Sequence, residues 1–171
     1  MSDLVLLTGF PPVLNHSTRI LILGSFPGKA SLAAQQYYAH PRNQFWRLLS
    51  AVLAGDLVNL SYSDRLHHLQ QHDIGLWDVI NVCAREGSLD SAIKQPQAND
   101  FAALKKTCPS LSQVCFNGKT SGKFAPVFAA AGFDILVLPS SSPANAQWTF
   151  EEKLCAWRGI IRQGHQSDHV T

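Results

Sequence analysis

Charge is scarce in this chain: Asp, Glu, Lys and Arg make up 15% of its 171 residues and leave a formal net charge of +2. So small a balance does not announce a polyanion partner, because domains that grip nucleic acid strongly carry a basic face. A protein touching only a few phosphates needs no more than a local patch, and Lys29, Arg42, Arg47, Lys119 and Lys123 fall near the loops that could form one. No apolar run reaches 18 residues, which excludes a spanning helix. Met1-Ser2-Asp3 lacks the basic start of an export signal, so a soluble, cytoplasmic protein acting as a monomer is expected. Only four cysteines occur, Cys83, Cys108, Cys115 and Cys155, with no Cys-x-x-Cys pair. Each lies in or beside an apolar run, so buried thiols are expected in place of a metal or cluster site. Of the seven histidines only His68/His72 and His165/His169 stand four apart, and neither pair has a third ligand nearby. No metal and no cofactor is expected.

What is present fits one globular domain over residues 1–171, with 46% hydrophobic residues to fill a single core. Residues 1–18 read as an irregular lead-in and 165–171 as a loose polar tail. Between them, residues 19–23, 75–82, 113–116 and 133–138 are short apolar runs that read as strands. Helical periodicity separates them at 41–53, from 63 onward, at 99–105, 119–131 and 150–161, and residues 85–97 read as a long loop. Thr149 and Glu152 have the spacing of a capping box. Alternating β and α segments predict an α/β fold with a parallel, doubly covered sheet. Ligands of such sheets sit beyond the carboxyl ends of the strands. Each run here empties into polar or glycine-rich residues, so one site built from four loops is expected.

Three motifs bear on chemistry. Gly24-Ser25-Phe26-Pro27-Gly28-Lys29-Ala30-Ser31 is a poor phosphate loop: the glycines are too close, and Ala30 stands where Ser or Thr must hold magnesium. It reads either as a tight turn or as backbone brought near a planar ligand. Ser140-Ser141-Ser142 lacks the elbow and the His/Asp partners of a nucleophilic serine, leaving a solvated turn or a phosphate contact through hydroxyls. In Tyr37-Tyr38-Ala39-His40-Pro41-Arg42-Asn43-Gln44-Phe45-Trp46, core packing explains Phe45 and Trp46 but not the polar cluster between them and the strand exit. Asn43 there could serve only to cap the next helix.

Taken together, Gly24-Ser25-Phe26-Pro27-Gly28, the run from Tyr38 through Phe45-Trp46 and Leu138-Pro139-Ser140-Ser141-Ser142-Pro143 resemble the uracil-DNA glycosylase superfamily, and within it the hypoxanthine-DNA glycosylase branch. The resemblance spans roughly residues 19–163. It implies a three-layer α/β/α fold with a four-stranded parallel sheet, and excision of a deaminated base from DNA without a cofactor. Tyr38 matches the position that stacks on the flipped base, Ser31 lies near a base-contacting serine, and Ser140, Ser141, Ser142 and Pro143 match the motif that holds the DNA strand. Phe26 stands where many relatives carry a catalytic Asp or Asn, and Leu138 where a His or Asn opens the second motif. The resemblance therefore assigns catalysis to Asn43, whose amide oxygen is expected to orient water. Phe26 is expected to add stacking and Asp78 to contact a base edge. Two alternatives stay open: a uracil or mismatch-specific thymine/uracil glycosylase, and a noncatalytic nucleic-acid-binding module.

Overall fold

A computed structural model describes residues 4–162. In chain order these form β1 (Leu6–Thr8), β2 (Ile20–Gly24), α1 (Lys29–Ala34), α2 (Phe45–Val52), α3 (Tyr62–Gln71), β3 (Ile74–Asp78), β4 (Ile80–Ala84) and a 3-10 turn (Asp90–Ala92). They continue with β5 (Lys94–Ala98), α4 (Leu104–Thr107), β6 (Gln113–Asn117), α5 (Lys119–Gly122), α6 (Ala125–Ala130), β7 (Asp134–Leu138), α7 (Phe150–Trp157) and α8 (Gly159–Arg162). Among these no helix is long and apolar enough to cross a membrane.

The main sheet is parallel, in the order β3-β2-β6-β7. Strand alternation sends Ile20 and Ile22 of β2 to one face and Leu21 and Leu23 to the other, and both sets are buried. The first pair joins Phe45, Leu48 and Leu49 of α2, Leu69 of α3 and Trp157 of α7. The second joins Leu104, Cys108 and Phe128 on the opposite side. Helices thus cover both faces, giving the expected three layers. The order turns back at β2, so the carboxyl ends of β2, β3, β6 and β7 open on a common crevice.

Several local expectations are corrected. The apolar run at 75–82 is two strands. β3 ends at Asp78, and after Val79 donates to the Gly24 carbonyl at 2.9 Å the chain turns into β4 of a separate sheet. That sheet is antiparallel, in the order β1-β4-β5, so the lead-in holds a strand and the loop at 85–97 holds another. Every residue of β5 is exposed, which removes the apolar signal a strand would show. The helix expected over 119–131 is split into α5 and α6, with Pro126 in the first turn of the second. α2 opens at Phe45, not at Pro41. The capping box at Thr149 and Glu152 is formed. Cys83, Cys108 and Cys115 are buried, but Cys155 is exposed on α7. The tail at 165–171, with His165 and His169, lies outside the described residues.

Candidate active site

A cavity of about 720 Å³ fills the crevice. Its lining comes from all four strand exits: Gly24 and the turn after it, Asp78, Asn117 and Lys119, and the loop through Ser140, Ser141, Ser142 and Pro143. Tyr38, His40 and Asn43 enter from the segment before α2, so the polar cluster there is divided. His40 and Asn43 face the cavity, Arg42 is exposed to solvent, and Gln44 turns inward.

One wall is a closed hydrogen-bond network. Asn43 Oδ1 accepts from Phe45 N at 3.0 Å and from Ser141 Oγ at 2.8 Å. Ser141 Oγ in turn accepts from Asn117 Nδ2 at 2.9 Å, and Ser141 N donates to Asn117 Oδ1 at 2.9 Å. Because Phe45 N can only donate, the Asn43 amide has one orientation: oxygen toward the helix and serine, Nδ2 toward the cavity. Both lone pairs of that oxygen are taken, which corrects the expectation that it orients water. Asn43 does assist the start of α2, yet its amide nitrogen is left for a ligand. The hydroxyl of Ser141, expected on a phosphate, is wholly buried and turned into this network. Gln44 N donates to the Ser141 carbonyl at 3.0 Å, and Lys153 Nζ reaches Gln44 Oε1 at 2.9 Å and the Ser142 carbonyl at 3.5 Å. Lys153 is buried on the inner face of α7, and burial draws its pKa below the usual lysine range.

The facing wall is open-ended. Asp78 is the last paired position of β3, opposite Gly24. It is buried, and its Oδ2 has no hydrogen-bond partner among the described residues. Its pKa is pushed up to about 7, first by burial and then by the charge of Asp90, with Arg85 opposing. Tyr38 stacks on Phe45 with centroids 3.8 Å apart and planes 13° off parallel, and its hydroxyl is also buried without a partner. Burial and the Asp78 charge hold that phenol protonated, above the usual tyrosine range. Tyr38 sits at φ +56°, in the left-handed region that costs a bulky residue about 1–3 kcal/mol. Neighbouring contacts impose it: Tyr37 N donates to Tyr62 Oη at 3.1 Å, Trp46 Nε1 donates to the Tyr37 carbonyl at 3.3 Å, and Ala39 N donates to Ser31 Oγ at 3.0 Å.

Other expected residues are placed as follows. Ser31 lines the cavity but is buried, its oxygen bracing Ala39. Phe26 borders the cavity with its ring in the core, one face under the Arg85 guanidinium at 5.3 Å. Ser140 and Ser142 are half-buried on the rim, each accepting from backbone two residues on, and Pro143 is exposed. Asn117 and Lys153 were not singled out from the sequence. Asn117 opens an Asn-Gly strand exit, and Lys153 interrupts the apolar face of Phe150, Leu154 and Trp157, so both left a signal.

A model of the uracil DNA glycosylase superfamily matches residues 11–160. The chain is 48% identical to a hypoxanthine DNA glycosylase of Methanosarcina barkeri, over 91% of this chain and 98% of that protein. It is 42% identical to a hypoxanthine DNA glycosylase of Methanosarcina acetivorans, over 90% of this chain and 97% of that one. The solution NMR structure of a candidate uracil DNA glycosylase from Methanosarcina acetivorans superposes with a TM-score of 0.82 at 40% identity, covering 92% of this chain and 99% of the other. These likenesses run through the segments that wall the crevice and cover nearly the whole length of the relatives, and the chain belongs to the uracil DNA glycosylase superfamily.

Proposed function

We propose that the protein is a DNA glycosylase that hydrolyses the N-glycosidic bond of hypoxanthine flipped out of DNA, leaving an abasic site. The observation that carries this reading is near full-length likeness to two hypoxanthine DNA glycosylases, joined to a cavity whose floor ends on unpartnered polar groups. A base must leave the stack to be reached, and a crevice at strand ends admits it.

Cleavage develops positive charge on the sugar and negative charge on the departing base. Asn43 Nδ2 holds the attacking water by donating to its oxygen; it cannot take the proton, so the water adds to C1′ after the C1′–N bond is largely broken, and the proton it loses neutralises the departing base anion. Acceleration then rests on hydrogen bonds that strengthen as charge builds on the base, from donors fixed before the reaction. Asp78 accepts from the base edge. Ser140 and Ser142, with Pro143 and Lys119, line the rim where the DNA backbone passes, and there hydroxyls, backbone N–H groups and one cation meet phosphates.

The test is single-turnover excision from duplexes carrying deoxyinosine, deoxyuridine or deoxyxanthosine, followed by cleavage at abasic sites. Release of hypoxanthine ahead of uracil is expected. Uracil release without hypoxanthine would place the chain on another branch, and DNA binding without any release would make it a binding module.

A further inference from the structure

Two buried polar atoms of cavity-lining residues stand without partners, Tyr38 Oη and Asp78 Oδ2. Native interiors pair nearly all such groups, so a neighbouring couple of orphans lining a cavity marks where a ligand completes the bonding. Both residues converge on the space above Gly24. A Cβ built there would lie 2.6 Å from Asp78 Oδ1 and 2.8 Å from Tyr38 Oη, so it is the missing side chain that lets both polar groups close over Gly24. No hydrogen bond joins Tyr38 to Asp78 among the described residues, so neither satisfies the other. The Tyr38 ring already has Phe45 stacked on it, and the backbone at φ +56° holds the residue against its preference.

We propose that Tyr38 acts through its hydroxyl: Tyr38 Oη donates to O6 of hypoxanthine while Asp78 accepts from N1–H, so that the pair reads the polar edge of the purine. This deepens, and rests on, the hypoxanthine reading. The phenol is a lone donor held protonated by burial. Adenine would bring its N1 lone pair to the Asp78 carboxylate, acceptor against acceptor, so rejection of adenine rests on Asp78, while the phenol could also accept from the amine. A bond to O6 also draws charge from the departing base.

The experiment is a cycle. Tyr38→Phe removes the hydroxyl, and unsubstituted purine in place of hypoxanthine removes O6 together with the N1 proton, so only the part of the loss that depends on Tyr38→Phe reports the bond to O6. Kd is measured for uncleavable duplexes carrying each base as its 2′-fluoroarabino nucleoside, with wild type and variant. Tyr38→Phe is expected to weaken hypoxanthine duplexes roughly tenfold or more while changing purine duplexes by less than about threefold. Its melting temperature should equal or exceed that of wild type, since the lost hydroxyl has no partner in the free protein. Equal weakening on both bases, no weakening on hypoxanthine, or a destabilised variant would each overturn the proposal. Excision by wild type is a separate arm: failure to release hypoxanthine removes the underlying reading, whereas release together with a flat cycle sinks only the role of the hydroxyl.

Discussion

The two walls of the cavity are built on opposite terms. On one, Asn43, Ser141 and Asn117 satisfy one another so fully that a single amide nitrogen is left to face a ligand. On the other, Asp78 and Tyr38 are buried and left unpaired. A satisfied network sets one geometry, since any rotation breaks a bond, and this suits a group that must hold water in place. An unsatisfied wall gains its bonds only when the right base arrives, and this suits selection. The contrast separates a wall that stabilises the fold from one that destabilises it in exchange for recognition.

The largest break expected is at the satisfied wall. Asn43→Ala should lower single-turnover excision by about 10²–10³-fold, the effect of losing one donor preorganised toward a reacting centre. DNA affinity should hardly change, and retention of most activity in the folded variant would remove Asn43 from the chemistry. At the open wall, Gly24→Ala puts a methyl 2.6 Å from Asp78 Oδ1 and 2.8 Å from Tyr38 Oη, so both must shift. A displacement near 1 Å is expected to slow excision roughly 10²-fold. An unchanged rate would show that the placement of Asp78 and Tyr38 over Gly24 does not matter to excision.

Two smaller effects sharpen the comparison through stability. Ser141→Ala strands Asn117 Nδ2 and one lone pair of Asn43, which should lower stability by about 1–3 kcal/mol in urea unfolding. No loss would mean the network is not a brace. Asp78→Asn should act in the opposite sense. The Asp78 pKa is raised from 3.8 to about 7 in the fold, by burial and by Asp90, with Arg85 opposing and the phenols of Tyr37 and Tyr38 nearby. The folded state therefore holds a proton that the unfolded chain has lost, and this group's contribution falls as pH climbs from about 4 to about 7. Replacing it with Asn removes that penalty, so the variant should gain more in melting temperature at pH 8 than at pH 5 while losing excision. An equal gain at both pH values would show that Asp78 does not titrate in this window.

Much of the architecture is legible because four apolar runs ending in polar residues can only be buried strands in a chain of this composition. The second sheet is not, because β5 buries none of its side chains and is held by hydrogen bonds to β4 alone. Its partner β4 merges in the sequence with β3, since nothing in an unbroken apolar run records that the chain bends after Asp78. In the site, Asn43 and the serine loop stand out as polar residues beyond apolar runs, Tyr38 stands out by the resemblance and Asp78 lies inside the run read as one strand; all reach the cavity. Their orientation does not stand out. Ser141 reads as an exposed hydroxyl in a Ser-rich turn and is wholly buried.

Local pattern by itself determined the parallel α/β frame, the helix cap at Thr149, and the loops that carry chemistry, because periodicity and capping are set by residues within a few positions of one another. Tertiary structure alone decided which polar groups are paired. The bond from Ser141 to Asn43 joins residues 98 apart and those from Ser141 to Asn117 residues 24 apart. Asp78 Oδ2 and Tyr38 Oη are left unpaired because β3 and the segment before α2 bury them over a glycine without bringing either a well-formed hydrogen bond. Satisfaction of a polar group depends on what packing brings to it, and packing is settled only when the whole sheet is assembled.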